Sequence, residues 1–122
     1  MNKLEYIRFL NGDIVYIHGS VRVISSCDGY YATYYDEDET LQEVNVNVIE
    51  GIPLTTAILE KNGWEHKDDV YFKDYPQRKL VTYDDKAYII NESCSLFLCK
   101  VEFVHQLQHL LFGLGLNSEM EV

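Results

Sequence analysis

The sequence is short of most residues and patterns that would name a chemistry. It has two prolines, one tryptophan and three cysteines in 122 residues. Cys27, Cys94 and Cys99 are odd in number, so any disulfide scheme leaves a thiol over. Cys94 and Cys99 do not form a CxxC pair, and nothing resembles a zinc ribbon. No apolar run approaches the ~18–20 residues that a membrane span needs. The opening Met1-Asn2-Lys3-Leu4-Glu5 lacks the basic-then-apolar pattern of an export signal. Free thiols in a reducing cytoplasm are the expectation. There is no Ser/His/Asp order, Gly-rich phosphate loop or paired-carboxylate motif. Gly113-Leu114-Gly115-Leu116 sits at a helix end without the strand–turn–helix context of a nucleotide fingerprint. Positive charge is scarce: ten Lys and Arg against twenty Asp and Glu, a net charge of −10. Such a surface repels nucleic-acid phosphates and anionic membranes, so neither is expected as a direct partner. The ordinary reading of the acidity is solubility.

Tyrosine, by contrast, is abundant, with ten copies. It forms strands and combines an apolar body with a polar tip, which suits half-buried sheets and contact surfaces. A chain of this length buries about two-thirds of its unfolded surface and folds without a metal or disulfide staple.

The first half reads as five short strands: Lys3–Leu10, Ile14–His18, Val21–Ser25, Tyr30–Tyr35 and Leu41–Ile49. Asn11-Gly12, Gly19-Ser20 and Asp28-Gly29 supply tight turns. Asp36-Glu37-Asp38-Glu39 reads as an exposed, mobile, solvated loop, because adjacent like charges repel. Val44, Val46 and Val48 alternate with Glu43, Asn45 and Asn47, the period of a strand with one wet face. Pro53 ends this region. Thr55 or Thr56 then caps a short helix through Lys61, and Asn62-Gly63 stops it. Val70–Lys73, Lys79–Tyr83, Ala87–Ile90 and Ser95–Val101 read as strands. Asp84-Asp85-Lys86 and Asn91-Glu92-Ser93 are their turns. A helix follows from about Glu102 to Leu114, and Asn117 onward reads as a loose tail.

The expected fold is therefore α+β. An N-terminal five-stranded antiparallel curled sheet or small barrel precedes a C-terminal helix–β-meander–helix unit. The subdomains are expected at 1–50 and 51–122, or merged as one compact domain.

Three strings carry a resemblance. They are Ile52-Pro53-Leu54-Thr55, Ile58-Leu59-Glu60-Lys61-Asn62-Gly63-Trp64 and Val104-His105-Gln106-Leu107-Gln108-His109-Leu110. Their order resembles a group of uncharacterised short proteins of gut bacteria and their phages and other mobile elements, over about residues 50–114. Those proteins often carry acids where this chain has Thr56 and Ala57, so this helix start has less dipole support. The resemblance implies a mobile-element setting. It implies no reaction and no catalytic residues.

Several residue sets could carry chemistry. Glu102, His105 and His109 share a helix side, but there is no HExxH, and Glu102 and His109 are too far apart to share an ion easily. A polar helix face is the ordinary reading. Cys94 or Cys99 could pair with His105 as nucleophile and base. Cys99 lies in the apolar stretch Leu96-Phe97-Leu98-Cys99 and reads as buried, whereas Cys94 reads as a turn residue. An ordinary free thiol is the ordinary reading of both. The acids Asp36, Glu37, Asp38, Glu39 and Glu43, with Asp28 nearby, lack the spaced pattern of an EF-hand. Its absence argues against calcium as their ligand, and the alternative use would be to imitate phosphates in a basic groove. No catalytic, cofactor or metal residues are assigned.

Two sets remain as candidate contacts. On a strand, Tyr31 and Tyr35 share one face and Tyr30 and Tyr34 the other. One pair belongs to a core and the other to a surface, and Tyr30 and Tyr34 are taken as the surface pair. On the final helix, at 100° per residue, Phe103, Val104, Leu107, Leu110, Leu111 and Leu114 make the apolar face. Phe112 falls instead with His105, Gln108 and His109 on a second continuous surface. Packing within the chain is the expected cover for it, and a partner is the alternative. Function is expected to be a non-enzymatic protein-binding or assembly module acting on a protein partner or a second copy. The rivals are an acidic nucleic-acid mimic that inhibits a host DNA- or RNA-binding enzyme, and a small Cys/His enzyme.

Overall fold

The computed structural model describes residues 9–76, 78–91 and 94–122. The protein is mainly sheet with two α-helices, and the chain divides into two compact units, Met1–Ile52 and Pro53–Val122.

The first unit holds β1 (Ile14–Ile17), β2 (Ser20–Cys27), β3 (Tyr31–Tyr35), β4 (Leu41–Asn45) and β5 (Ile49–Gly51). They form one antiparallel five-stranded sheet in the order β4-β3-β2-β1-β5. The first hairpin closes through His18 and Gly19, both at positive φ (52° and 79°), between the paired Ile17 and Ser20. Two such residues match the twist of the flanking strands. Ahead of β1, the Asp13 carboxylate accepts a 2.8 Å bond from the Leu10 amide, which satisfies a side chain that is otherwise buried. The expected strand Lys3–Leu10 lies largely outside the described residues. Phe9 enters the core with Val15, Ile17, Ile24, Ala32, Tyr34, Val46 and Ile49.

Two expectations for this unit change. β4 and β5 stand at opposite edges, so the sheet is open and not a closed barrel. The alternating segment Leu41–Ile49 is also not one strand. β4 stops at Asn45, whose side chain accepts a 2.9 Å bond from the Asn47 amide and starts a 3-10 turn over Val46–Val48. Asparagine offers the backbone a local partner in competition with the ladder. Val46 and Ile49 still reach the core, and β5 pairs with β1 instead of extending β4.

The second unit runs α1 (Thr56–Lys61), β6 (Glu65–Lys67), β7 (Val70–Tyr75), β8 (Arg78–Tyr83), β9 (Lys86–Asn91), β10 (Cys94–Lys100) and α2 (Val104–Gly113). Its antiparallel sheet follows chain order, β10-β9-β8-β7-β6. The Thr55 hydroxyl caps α1 by accepting from the Ile58 amide at 3.2 Å, and Gly63 at φ 84° ends it. Asp84 and Asp85, both at positive φ, make a two-residue turn between Tyr83 and Lys86. The expected turn at Asn91-Glu92-Ser93 lies partly outside the described residues. β6 was not expected: Glu65, His66 and Lys67 are all exposed and carry no alternation.

α2 is shorter than its sequence pattern. The Gln106 carboxamide reaches back to accept from the amides of Glu102 (2.7 Å) and Phe103 (3.1 Å), fixing the start. Leu116 N–H donates to the Leu111 carbonyl at 2.9 Å around Gly115 at φ 72°, closing the end as a Schellman turn. Leu107 and Leu111 of α2 meet Leu59 of α1, Trp64 and Leu80 of β8 in one core. The tail beyond Asn117 is not loose. The Asn62 amide donates to the Glu121 carbonyl (2.8 Å) and accepts from the Glu121 amide (2.9 Å), and Met120 packs on the core. No helix among the described residues is long and apolar enough to cross a membrane.

Candidate interaction surface

The helix surface drawn from the sequence comes apart in the structure. His105 and Gln108 are buried, His109 is half-buried, and Phe112 is 73 % exposed. His105 stacks on Phe103 with ring centres 5.8 Å apart and meets His109 edge-on at the same distance. Gln108 donates to the Ser118 carbonyl at 3.3 Å. The expected cover over Phe112 is not found among the described residues. Angle around the helix is the same for these residues, but position along it differs. The side that buries His105 and Gln108 is open one turn later.

The tyrosines also change places. Ala32 and Tyr34 point into the first core, and the Arg22 guanidinium lies 5.5 Å over the Tyr34 ring. That cation lets a residue with a polar tip occupy a core position. Tyr34 is therefore buried and does not belong to the exposed pair. Tyr31 and Tyr35 form the exposed pair, and Tyr30 is exposed just before β3.

The acidic segment is a hydrogen-bonded turn in which Glu37, Asp38 and Glu39 are exposed, as expected. The Asp36 carboxylate accepts from the Asp38 amide (2.9 Å), the Thr40 amide (3.0 Å) and the Gln42 side chain (3.0 Å). The Thr40 bond, with the others, holds its carboxyl below the ordinary aspartate range. Glu37 pairs with Arg22 at 2.7 Å, and that bond lowers it likewise. Asp28 accepts from the amides of Tyr31 and Tyr30 at 2.8 Å each, which lowers it too. Glu37, even with its ion pair, and Asp38, Glu39 and Glu43 are exposed.

Cys94 opens β10 rather than sitting in a turn, and its exposed thiol donates to the Asn91 carboxamide oxygen at 3.3 Å. Cys99 is half-buried, less than expected because β10 is an edge strand, and burial raises its thiol pKa. Among the described residues no group of three or more His, Cys, Asp and Glu is placed to hold a metal ion.

Sequence reasoning missed two apolar surfaces. In the second unit, the sheet face opposite Leu80 is also apolar, with Val81 buried, Phe72 and Tyr88 half-buried and Phe97 exposed. There Phe72 pairs with Val81, Val81 with Tyr88 and Tyr88 with Phe97, giving one lateral row across β7, β8, β9 and β10. The Tyr88 and Phe97 rings meet edge-on at 5.7 Å, and the Lys79 ammonium lies 4.9 Å over Phe72. The row ends on β10, an edge strand with exposed Leu96 and Phe97 and no charge between Cys94 and Cys99. In the first unit, the face opposite the core carries exposed Val21, Val23, Tyr31, Tyr35 and Leu41. The detectable signal was parity: Val21 and Val23 stand two apart and Tyr31 and Tyr35 four apart, so each pair shares one strand face, opposite Ile24 on β2 and Ala32 and Tyr34 on β3.

No family model, curated protein or solved structure matches the chain.

Proposed function

We propose that this protein is a non-enzymatic assembly module that pairs with a second copy of itself through the free edge of β10. One observation carries this reading: an apolar edge strand, exposed over Cys94–Phe97 and without charge from Cys94 to Cys99, at the end of an aromatic row, in a chain of net charge −10. Unpaired edges of this kind template further strands, and proteins commonly protect them with lysine, proline or cover. β10 carries only Lys100 at its end and a register shift between Phe97 and Cys99. Two copies of so acidic a chain approach most easily where acids are absent. Antiparallel pairing about a two-fold sets the strand against itself, so one sequence supplies both sides. The contact is smaller than a standard interface, which makes the pairing weak and concentration-dependent.

Sedimentation velocity from micromolar to sub-millimolar protein tests it. The wild type should gain mass with concentration, and Leu96→Lys, which puts a charge on the edge, should stay monomeric. A wild type that stays monomeric throughout, or a Leu96→Lys variant that associates equally well, refutes the reading.

A further inference from the structure

We infer that the first unit binds an extended cationic protein segment, added beside β4, with apolar and basic side chains at alternate outward positions. The inference rests on the reading of the protein as a binding module, but uses a different surface.

The argument begins with the outward face. On β4, Leu41 and Glu43 point away from the core, opposite Tyr35 and Thr33 of β3. Tyr35, Val21 and Val23 line a shallow groove on the same sheet, with Asn11 and Ser25. Leu41, Tyr35 and Val23 are each more than half exposed, at 53 %, 58 % and 55 %. This is an apolar strip that the first unit's own core residues do not use.

Charge then selects the occupant. Glu37, Asp38 and Glu39 stand at the turn beside the Tyr35–Leu41 pair, and Glu43 lies on the strip itself. Among the described residues of this unit the one Lys or Arg is Arg22, which stacks over Tyr34 and pairs with Glu37. An acidic partner would meet uncompensated repulsion here, and a basic one meets attraction.

Topology gives the form. Among the described residues β4 is an edge strand, hydrogen-bonded to β3 alone. A segment added along it forms main-chain bonds, while its alternate side chains land on the outward face. The outward residue beside Leu41 and Tyr35 meets an apolar surface. The next outward residue, two positions on, meets Glu43. A partner strand with an apolar residue and then Lys or Arg at alternate positions satisfies both, and its cation also lies in reach of the exposed tyrosine faces.

The test uses a labelled, end-blocked peptide of two Val-Thr-Lys-Thr repeats, followed by fluorescence anisotropy and by amide chemical shifts. Two controls are read alongside: Ser-Thr-Lys-Thr repeats, with equal charge and no apolar residue, and Val-Thr-Glu-Thr repeats. The expected result is binding of the first peptide alone, with shifts on Leu41–Asn45 and Tyr35. Tyr35→Ser with Leu41→Ser should weaken it by about tenfold or more, the loss of one well-buried anchor. Asp38→Asn, Glu39→Gln and Glu43→Gln together should weaken it and flatten its salt dependence. Tyr83→Ser, on the other unit, should leave it unchanged. Equal binding of the Ser-Thr-Lys-Thr peptide would reduce the site to net charge and overturn the inference. Absent binding, or shifts that map elsewhere, would also overturn it. Leu96→Lys protein should bind the peptide like the wild type. The peptide can therefore fail while β10 pairing stands, and pairing can fail while the peptide binds.

Discussion

Leu107 and Phe112 sit on the same ten-residue helix, and replacing each should lower stability by very different amounts. Leu107 is 0 % exposed and Phe112 is 73 % exposed. Leu107→Ala removes a buried isobutyl group from the cluster with Leu59, Trp64, Leu80 and Leu111. Such truncations cost ~2–5 kcal/mol, the transfer term plus the cavity left behind. Complete burial of a phenylalanine is worth ~1.5–3 kcal/mol, so a side chain with about a quarter of its surface covered retains roughly 0.4–0.8 kcal/mol. At roughly 4 °C per kcal/mol for a chain of this size, Leu107→Ala should lower Tm by about 8–20 °C and Phe112→Ser by about 2–3 °C. Trp64 is the one tryptophan and belongs to the same cluster, so its fluorescence reports the second unit directly. Thermal and urea unfolding by this signal measures both variants. If Phe112→Ser destabilises as much as Leu107→Ala, Phe112 is covered in solution and the assignment of helix sides is wrong. If Phe112 instead anchors a partner, its replacement should lower association in sedimentation while the melting curve barely moves.

Two further outcomes follow from the charged turns and the thiols. Asp36, Glu37 and Asp28 have lowered folded-state pKa values, set chiefly by the Thr40 amide, Arg22 and the Tyr31 amide respectively. Their stabilisation is fully present above the unfolded carboxylate values of about 4 and is lost as pH falls through the lower folded values. Amide signals of β3 and β4 followed from pH 6 down to ~2 should show the hairpin weakening only in the acid limb. Asp36→Asn, which keeps an acceptor oxygen, should shrink that acid dependence, and an unchanged profile would exclude Asp36 as a source. For the thiols, brief alkylation of the native protein read by mass spectrometry should modify exposed Cys94 well before Cys99, whose pKa burial raises. Equal rates would contradict the placement of Cys99.

The parts of the fold that the sequence made legible are those fixed within a few residues. Thr55 caps α1 because its hydroxyl lies three residues from the amide it accepts from. Elements set by distant partners were not legible. Glu65-His66-Lys67 is an exception in the other direction: its pairing with Val70–Phe72 is local, but its own residues, all exposed, carry no alternation to mark a strand. The docked tail depends on Asn62 meeting Glu121, far along the chain. The break at Asn45 was local but misread, because the valine alternation of Val44, Val46 and Val48 satisfies both a strand and a strand followed by a 3-10 turn. Only the Asn45 side chain, bonded to the Asn47 amide, separates the two.

The candidate surfaces expose a different limit, which is one of coordinates. Alternation along a strand states which residues share a face and leaves open which face is inside. For Tyr30, Tyr31, Tyr34 and Tyr35 that binary choice was settled by groups the strand does not contain. Arg22 accommodates Tyr34 from β2, and Tyr30 falls outside the ladder because Asp28 turns the chain through its amide. A helical wheel has a related gap: it records angle and has no axis. His105, Gln108 and Phe112 lie within a narrow arc, yet the first two are buried and the third is open. The Phe72–Val81–Tyr88–Phe97 row needed both register and face, since its members come from four strands and share no local pattern. A contact surface made by register therefore becomes visible only when the hairpin turns are fixed residue by residue. In this chain the two-residue turn at Asp84-Asp85 sets the pairing of β8 with β9 and hence places Tyr88 beside Val81. One added residue in that turn would rotate β9 by a face and bury Tyr88 on the side of Leu80, which ties the aromatic row to the geometry of a single hairpin.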